Sequence, residues 1–273
     1  IASCRSDQRE IEAKTEQNRS TLADRLGWED FFSLNVWRAS TAELLGTAVL
    51  VFMVEAIIIS IHETDIDAPK LIMAILIAIT VAMLVLATIP VSGGHINPIV
   101  SFSAGLMGLI SLSRTAIYIF AQSAGGVLGA LALKAVVDSS TSPGGCTTAS
   151  RLEKGRALCL EIICSFVFLF ASRWIAFDPR QAKVVGRVIV CLGIGASAGL
   201  NVFVSSTVTG SSAAGINPAR CLGAAMVRGG HLWDGHWVFW AGPAIASMVF
   251  CLYTRIIPDD HFRPKVKEHG RKS

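Results

Sequence analysis

The sequence contains two similar phrases, Ile96-Asn97-Pro98 and Ile216-Asn217-Pro218, which lie 120 residues apart. Each follows a stretch rich in glycine and serine and opens a short apolar segment, at about 97–107 and 217–227. An asparagine followed by proline is typical of a helix start, with asparagine as the cap and proline in the first turn. A helix N-terminus carries about half an elementary positive charge. Two that face each other would repel cations while donating hydrogen bonds to neutral solutes.

Both short segments depend on longer elements, because neither can cross the roughly 30 Å hydrocarbon layer of a membrane. A short helix at membrane depth is stable only inside protein or beside a water-filled cavity, so we predict two re-entrant half-helices. Six further apolar segments are each about 20 residues long, the length of a membrane span. They run over 37–60, 70–90, 115–137, 157–177, 187–208 and 236–257. The predicted fold is an all-α membrane protein with six transmembrane helices and two re-entrant half-helices.

The composition supports a membrane protein over a soluble domain, since 52% of the residues are hydrophobic and 16% are charged. With both termini in the cytoplasm, 17 of the 24 Lys and Arg residues lie on the inner side, as the positive-inside rule requires. The net charge of +4 thus reflects topology, and we expect no nucleic-acid partner. The chain begins with Ile1 rather than methionine, so we expect residues to be missing before it.

The same layout predicts the domain organisation. Residues 1–36 form a cytoplasmic tail with an interfacial amphipathic segment, 37–257 form the channel domain, and 258–273 form a second cytoplasmic tail. The channel domain consists of two repeat halves, about 37–137 and 157–257. Each half has three spans with a half-helix between its second and third span. An odd number of spans inverts the second copy relative to the first, which places the working site at the membrane midplane.

Each half carries one glutamate at a matching place early in its first span. Glu43 precedes Asn97 by 54 residues, and Glu161 precedes Asn217 by 56. A carboxylate inside a membrane is costly and usually has a function. We predict that both glutamates accept hydrogen bonds from backbone N–H groups of the re-entrant loops, with a proton relay as the alternative. Glu55 has no such counterpart, and its role stays open.

The longer phrases around the motifs resemble the paired Asn-Pro-Ala signatures of the major intrinsic protein (aquaporin) family. They are Ser92-Gly93-Gly94-His95-Ile96-Asn97-Pro98 and Gly215-Ile216-Asn217-Pro218-Ala219-Arg220. Two departures narrow the resemblance, because Ile99 replaces the usual alanine of the first motif and Cys221 directly follows the second. Together with Gly144-Gly145-Cys146 in the third connector, they resemble the plant X intrinsic proteins, an aquaporin subfamily.

The resemblance implies a second checkpoint, a selectivity filter formed by four side chains outside the Asn-Pro centre. Carried over by spacing, its positions are Ile77, Val202, Ala214 and Arg220. Water-strict relatives have an aromatic residue and a histidine at the first two positions, where this chain is aliphatic. We therefore expect a wider and drier passive channel for small uncharged solutes such as glycerol, urea, hydrogen peroxide or boric acid. Water permeability would be variable or low, and ions and protons would be excluded.

Two other functions stay open. A water-selective aquaporin is one, since Cys221 stands where glycerol-channel relatives usually have an aspartate. An ion-coupled secondary transporter is the other, because it also uses inverted repeats and broken helices. The spans contain no acidic pair suited to ion coupling. They also pair no nucleophile with a base, so we expect no enzyme activity, cofactor or metal site.

His95, Cys146 and Cys221 complete the candidate site residues. His95 either lines the pore as a gate or is a packed, hydrogen-bonded loop histidine. The two cysteines lie towards the outside, where a disulfide within one subunit or between subunits is a hypothesis. The resemblance further implies a homotetramer with one pore per subunit, embedded in the lipid bilayer, and we expect it in the plasma membrane.

Overall fold

The computed structural model describes residues 25–137, 145–147, 153–177, 179–209 and 214–256. Within these ranges the chain forms α1 (Leu34–Glu63), α2 (Pro69–Ser92), α3 (Pro98–Leu106), α4 (Leu112–Val136), α5 (Lys154–Phe177), α6 (Pro179–Thr209), α7 (Pro218–Arg228) and α8 (Val238–Ile256). Two short 3-10 helices, Trp28–Phe32 and Gly230–Trp233, precede α1 and α8. Residues 1–24 and 258–273 of the predicted tails, and Gly144 of the third connector, lie outside the described residues.

Six of the described helices contain a stretch long and apolar enough to cross a membrane, namely α1, α2, α4, α5, α6 and α8. Large apolar side chains on their outer faces, such as Phe120 and Leu200, are exposed, as expected for side chains that contact lipid. The short helices α3 and α7 stand where the half-helices are predicted. The first span begins at Leu34 instead of 37, so part of the predicted interfacial segment belongs to this span.

The fifth span contains a break that the apolar pattern did not indicate. Helix α6 begins at Pro179, but Gly186 has φ 76° and ψ 164°, a left-handed conformation that interrupts the helix. Glycine adopts this region readily because it has no Cβ atom. The stretch suited to crossing the membrane runs over Gly186–Thr207, close to the predicted 187–208.

Paired glycines bring the long helices close together at two crossings. A Cβ atom on Gly125 or Gly129 of α4 would collide with carbonyl oxygens of α1. A Cβ atom on Gly195 or Gly199 of α6 would collide in the same way with α2. Small residues at four-residue spacing are typical of such close crossings in membranes. The α1–α4 crossing builds the first half, and the α2–α6 crossing joins the two halves around a cluster of buried, mostly aliphatic side chains.

Candidate functional site

Asparagine side chains cap both half-helices. Asn97 Oδ1 accepts a hydrogen bond from the backbone N–H of Ile99 at 3.1 Å. Asn217 Oδ1 accepts one from the backbone N–H of Ala219, also at 3.1 Å. In both helices proline follows the cap and occupies the first helical position, where its missing N–H leaves no helical bond unmade. The helix starts indicated by Asn-Pro are therefore present at both motifs.

The two half-helices meet through reciprocal hydrogen bonds between the motifs. Asn97 Nδ2 donates to the carbonyl oxygen of Ile216 at 3.3 Å, and Asn217 Nδ2 donates to that of Ile96 at 3.0 Å. Each amide carries a second hydrogen, and both asparagines line the same cavity. The positive ends of two helices and two amide donors are thus brought to one place.

Ile96 and Ile216 adopt a left-handed backbone, with φ values of 41° and 56°. This region is rare for a β-branched side chain, and holding a residue there costs about 1–3 kcal/mol. The conformation presents each carbonyl oxygen to the asparagine of the other half. No feature of the sequence predicts it, because glycine and asparagine are the residues that usually adopt this backbone.

Glu43 accepts hydrogen bonds from four donors around the first loop and is fully buried. Its Oε1 accepts from the backbone N–H of His95 at 3.0 Å and from the Ser92 hydroxyl at 2.5 Å. Its Oε2 accepts from the backbone N–H of Ile96 at 2.5 Å and from Gln122 Nε2 at 2.7 Å. Sequence reasoning missed Gln122, although a lone amide side chain within an apolar span is a signal that could have found it.

Glu161 occupies the matching place in the second half and is also buried. Its Oε1 accepts from the backbone N–H of Gly215 at 2.5 Å, and its Oε2 accepts from that of Ile216 at 3.1 Å. Beside it, Ser205 Oγ accepts from the backbone N–H of Ala214 at 3.0 Å, a contact that sequence reasoning also missed. The hydrogen-bond donors to Glu43 are backbone amides and neutral side chains, and those to Glu161 among the described residues are backbone amides, with the charge of Arg220 also acting on Glu161.

A cavity of about 610 Å³ brings the predicted filter residues together. Ile77, Val202, Ala214 and Arg220 all line it, and so does His95. Most other lining side chains from α1, α2 and α6 are apolar, with Ser92 and Arg187 as the polar exceptions; the apolar ones include Leu50, Val54, Ile58, Met73, Val81 and Ile194. The cavity therefore combines the Asn-Pro centre with a mostly apolar wall that is built by both halves.

The electrostatics of the cavity disfavour cations. The charged residues among its described lining are Arg187 and Arg220. Because Glu55 forms an ion pair with Arg220, the positive potential comes mainly from Arg187 and the two half-helix N-termini. Apolar walls do not replace the hydration that an ion loses on entry. In the part of the chain that the structure describes, no cluster of three His, Cys, Asp or Glu side chains could hold a metal ion.

His95 is both packed and part of the cavity lining. Its Nδ1 lies 3.0 Å from Ser101 Oγ, and its ring stands edge-on to that of Tyr118 with 5.5 Å between the ring centroids. Ser101 Oγ also accepts from Gln122 Nε2 at 2.8 Å, which connects the histidine to the partners of Glu43. His95 thus belongs to the polar network of the first loop while one face meets the lumen.

Arg220 forms an ion pair with Glu55, the glutamate whose role the sequence leaves open. Arg220 Nε lies 3.1 Å from Glu55 Oε1. Glu55 is 1% exposed, so it lies behind the arginine rather than on the cavity surface. Its placement in an apolar span is the signal that it has a partner, but the identity of that partner follows only from how α1 and α7 pack.

Cys146 and Cys221 form a disulfide within one chain. They are 75 residues apart in the sequence, and their Cα atoms are 5.0 Å apart. Both cysteines pack with Phe239 in a small buried cluster. Cys146 lies in the connector segment 145–147 and Cys221 in the first turn of α7, so the bond fastens this connector beside the motif that carries Arg220.

Comparison with known proteins places these features in a family. The sequence model described as Major intrinsic protein matches residues 30–253 of the 273. The chain belongs to the major intrinsic protein family. The family resemblance of the two Asn-Pro phrases is confirmed, and the chain is an integral membrane channel rather than an enzyme.

Relatives of this family member cover most of its length. Probable aquaporin TIP3-2 from Arabidopsis thaliana is 33% identical over 244 residues, which cover 85% of this chain and 88% of that protein. Aquaporin-4 from Rattus norvegicus is 31% identical over 245 residues, covering 87% and 73%. The X-ray structure of the aquaglyceroporin from Plasmodium falciparum has a TM-score of 0.68 at 22% identity and covers 80% of this chain and 95% of that one. This likeness of structure confirms the predicted fold class.

Proposed function

We propose that this channel passes small uncharged solutes down their gradients, with glycerol, urea, hydrogen peroxide and boric acid as the solute class and with variable or low water permeability. The observation that carries the proposal is the aliphatic character of Ile77 and Val202, which line one cavity with Ala214 and Arg220. Apolar walls return few hydrogen bonds to water. A solute with both carbon and polar groups contacts the wall and the guanidinium together.

The remaining roles follow from the contacts around the centre. Asn97 and Asn217 donate hydrogen bonds to the oxygen of a passing solute through the amide hydrogens that are not used between the motifs. Glu43 and Glu161 hold the loops that present these asparagines. Cations and protons are excluded because the facing helix ends are positive and the lumen is partly apolar.

The finer identity rests on the residues beside the motifs. Ile99 and Cys221 support membership of the plant X intrinsic proteins, although the relatives named above carry other designations. Ile99 is buried in a cluster with Leu169 and Phe250, where an alanine would leave space. The distribution of Lys and Arg supports cytoplasmic termini. The family resemblance supports a homotetramer, and we place it in the plasma membrane.

Reconstitution into liposomes with a panel of solutes, water included, tests the proposed solute class. We expect glycerol and urea fluxes well above those of empty liposomes, without any dependence on an ion gradient. Flux of water alone would favour the water-selective alternative. Uptake that needs a gradient of a second species would favour a secondary transporter.

Substitution of the two aliphatic filter residues tests the assigned filter directly. The double variant Ile77→Phe with Val202→His should reduce glycerol flux by about tenfold while sparing or raising water flux, because it narrows the ring and adds a polar group. Ile79→Phe is the matched control, since Ile79 lies on the same helix and is exposed on the outer face. Equal loss of water and glycerol flux in the double variant would contradict the assignment.

A further inference from the structure

Neither Arg220 nor Glu55 has a counterpart in the other half of the chain. Arg220 follows Asn217 by three residues, and the residue at this place in the first half is Val100. Glu43 and Glu161 recur because each half has a loop to brace, whereas Glu55 has no counterpart. Arg220 and Glu55 contact each other, and neither is repeated. We therefore expect the pair to have a function at one end of the pore only.

Within the ion pair, Arg220 lines the lumen and Glu55 lies behind it in the wall. The Arg220 side chain is 11% exposed and lines the cavity, whereas the Glu55 side chain is 2% exposed. Arg220 Nε donates to Glu55 Oε1 at 3.1 Å, while Glu55 Oε2 has no hydrogen-bond partner among the described residues. The cations that act on Glu55 are Arg220 first and Arg228 at the end of α7 second. Arg220 is thus the main partner of a buried carboxylate.

We propose, on the basis of the solute-channel function above, that Glu55 is a positioning residue that holds the Arg220 guanidinium against α1 and thereby sets the free width of the filter. A bond to Nε directs the guanidinium towards the wall, and the carboxylate neutralises its charge. The polar member of the filter then offers hydrogen bonds to a solute without blocking its path.

Loss of Glu55 removes the carboxylate that forms the ion pair with Arg220 and leaves Glu161, which acts on Arg220 without forming an ion pair, as the remaining buried carboxylate nearby. A charged side chain at membrane depth is stable when it reaches water or a partner, and the lumen is the nearest water. The guanidinium therefore turns inward, which narrows the filter and places a full positive charge in the path. A solute of glycerol size is obstructed more than water by this change.

The test compares variants of Glu55 in liposomes through the ratio of glycerol to water permeability. This ratio does not depend on how many channels are folded. Glu55→Met, which keeps a long unbranched side chain without an acceptor, should lower the ratio by about tenfold. Glu55→Gln should lower it less, because the amide oxygen still accepts from Arg220. Glu63→Gln on the same helix is the control and should leave the ratio unchanged, since Glu63 is exposed.

The same substitution in an Arg220→Leu background decides whether Glu55 acts through the arginine. There Glu55→Met should change the ratio less than about twofold, because no guanidinium remains to be held. Proportional losses of water and glycerol flux in Glu55→Met, or an equal change of the ratio with and without Arg220, would overturn the proposal.

If the wild-type channel passes only water, the proposed solute class is wrong, but the positioning role of Glu55 can still be tested. The variants are then compared by water permeability per folded channel. Glu55→Met should lower it, and the double variant Glu55→Met with Arg220→Leu should restore it. Unchanged permeability in Glu55→Met, or no recovery in the double variant, would overturn the positioning role of Glu55.

Discussion

Around Glu43, two backbone N–H groups, a serine hydroxyl and the Gln122 amide supply four hydrogen bonds. Around Glu161, the donors among the described residues are the backbone N–H groups of Gly215 and Ile216. The second motif has other attachments: the disulfide at Cys221 and the ion pair at Arg220. A carboxylate bonded to backbone N–H groups therefore holds both loops, and neutral side chains add to it in the first half, whereas a covalent bond and a charge pair add to it in the second.

The difference shows which parts of the pore serve its construction and which serve its selectivity. The features found in both halves are the asparagine cap, the bracing carboxylate and the left-handed isoleucine, and all of them act where the half-helices meet. The features found once are Arg220, Glu55 and the Cys146–Cys221 bond, which cluster around the second motif. The shared features lie at the meeting point of the half-helices, and those found once lie beside the second motif, where Arg220 lines the cavity.

Removal of the bracing carboxylates should give the largest loss of stability, and the loss should differ between the two halves. Glu43→Ala removes four hydrogen bonds and leaves the backbone N–H groups of His95 and Ile96 without this acceptor, so it should lower the free energy of unfolding by about 4 kcal/mol or more. Glu161→Ala leaves two and should lower it by about 2–4 kcal/mol. Unfolding in detergent, followed by circular dichroism over a temperature or denaturant series, measures both.

The exposed Glu63 on the same helix as Glu43 provides the control for this comparison. Glu63→Ala should leave the unfolding transition unchanged, because its side chain is exposed. Equal losses for Glu43→Ala and Glu161→Ala would mean that the side-chain donors around Glu43 contribute nothing to stability.

Loss of the disulfide should weaken the second half alone. Cys146→Ser should lower the free energy of unfolding by about 2–4 kcal/mol, because the bond closes a long loop in the unfolded chain. A reductant should destabilise the wild type in the same way and leave Cys146→Ser unaffected, as unfolding curves with and without reductant would show. Cys159→Ser, at an exposed free cysteine, is the matched control. A mobility shift to a dimer on non-reducing gels would contradict a bond within one chain.

Two serine substitutions of small effect should sharpen the division between construction and selectivity. Ser205→Ala removes the acceptor for the Ala214 N–H, and Ser101→Ala removes the hydroxyl that lies 3.0 Å from His95 Nδ1 and accepts from Gln122 Nε2. Each should cost about 1 kcal/mol of stability. Only Ser205→Ala should also change the glycerol-to-water permeability ratio, because Ala214 lies at the proposed filter. A change of this ratio in Ser101→Ala of equal size would remove the distinction.

The sequence predicted the elements and their duplication because those depend on local patterns. Twin Asn-Pro phrases locate both half-helices, and the spacing of Glu43 and Glu161 relates the halves without any structure. Apolar segments of about 20 residues predict the spans, because the bilayer sets that length. The structure differs from the predicted spans at Leu34 and Gly186. The length of an apolar segment does not show whether a helix extends beyond the lipid or is broken at one glycine.

Local sequence patterns could not predict the contacts between helices that are distant in the chain. Membrane helices are apolar on their lipid faces as well as inside, so no apolar stripe shows which face meets a neighbour. The partner of Glu55, 165 residues away, therefore follows only from helix packing. The sequence singled out Cys146 and Cys221 from seven cysteines, but that their bond forms within one chain depends on where the connector returns. The backbone of Ile96 and Ile216 opposes the intrinsic preference of isoleucine, so residue type misleads there.

The reciprocal bonds between the two asparagines and the two isoleucine carbonyls have a consequence for biosynthesis. The first half of the chain leaves the ribosome and enters the membrane before the second half exists. Until the second half docks, the Asn97 amide and the Ile96 carbonyl lack the partners that they have in the finished protein. The conduit is lined by residues of both halves, so a membrane that holds a nascent first half contains no open path. The channel therefore becomes permeable only when the second half docks onto the first, and the membrane does not leak during synthesis.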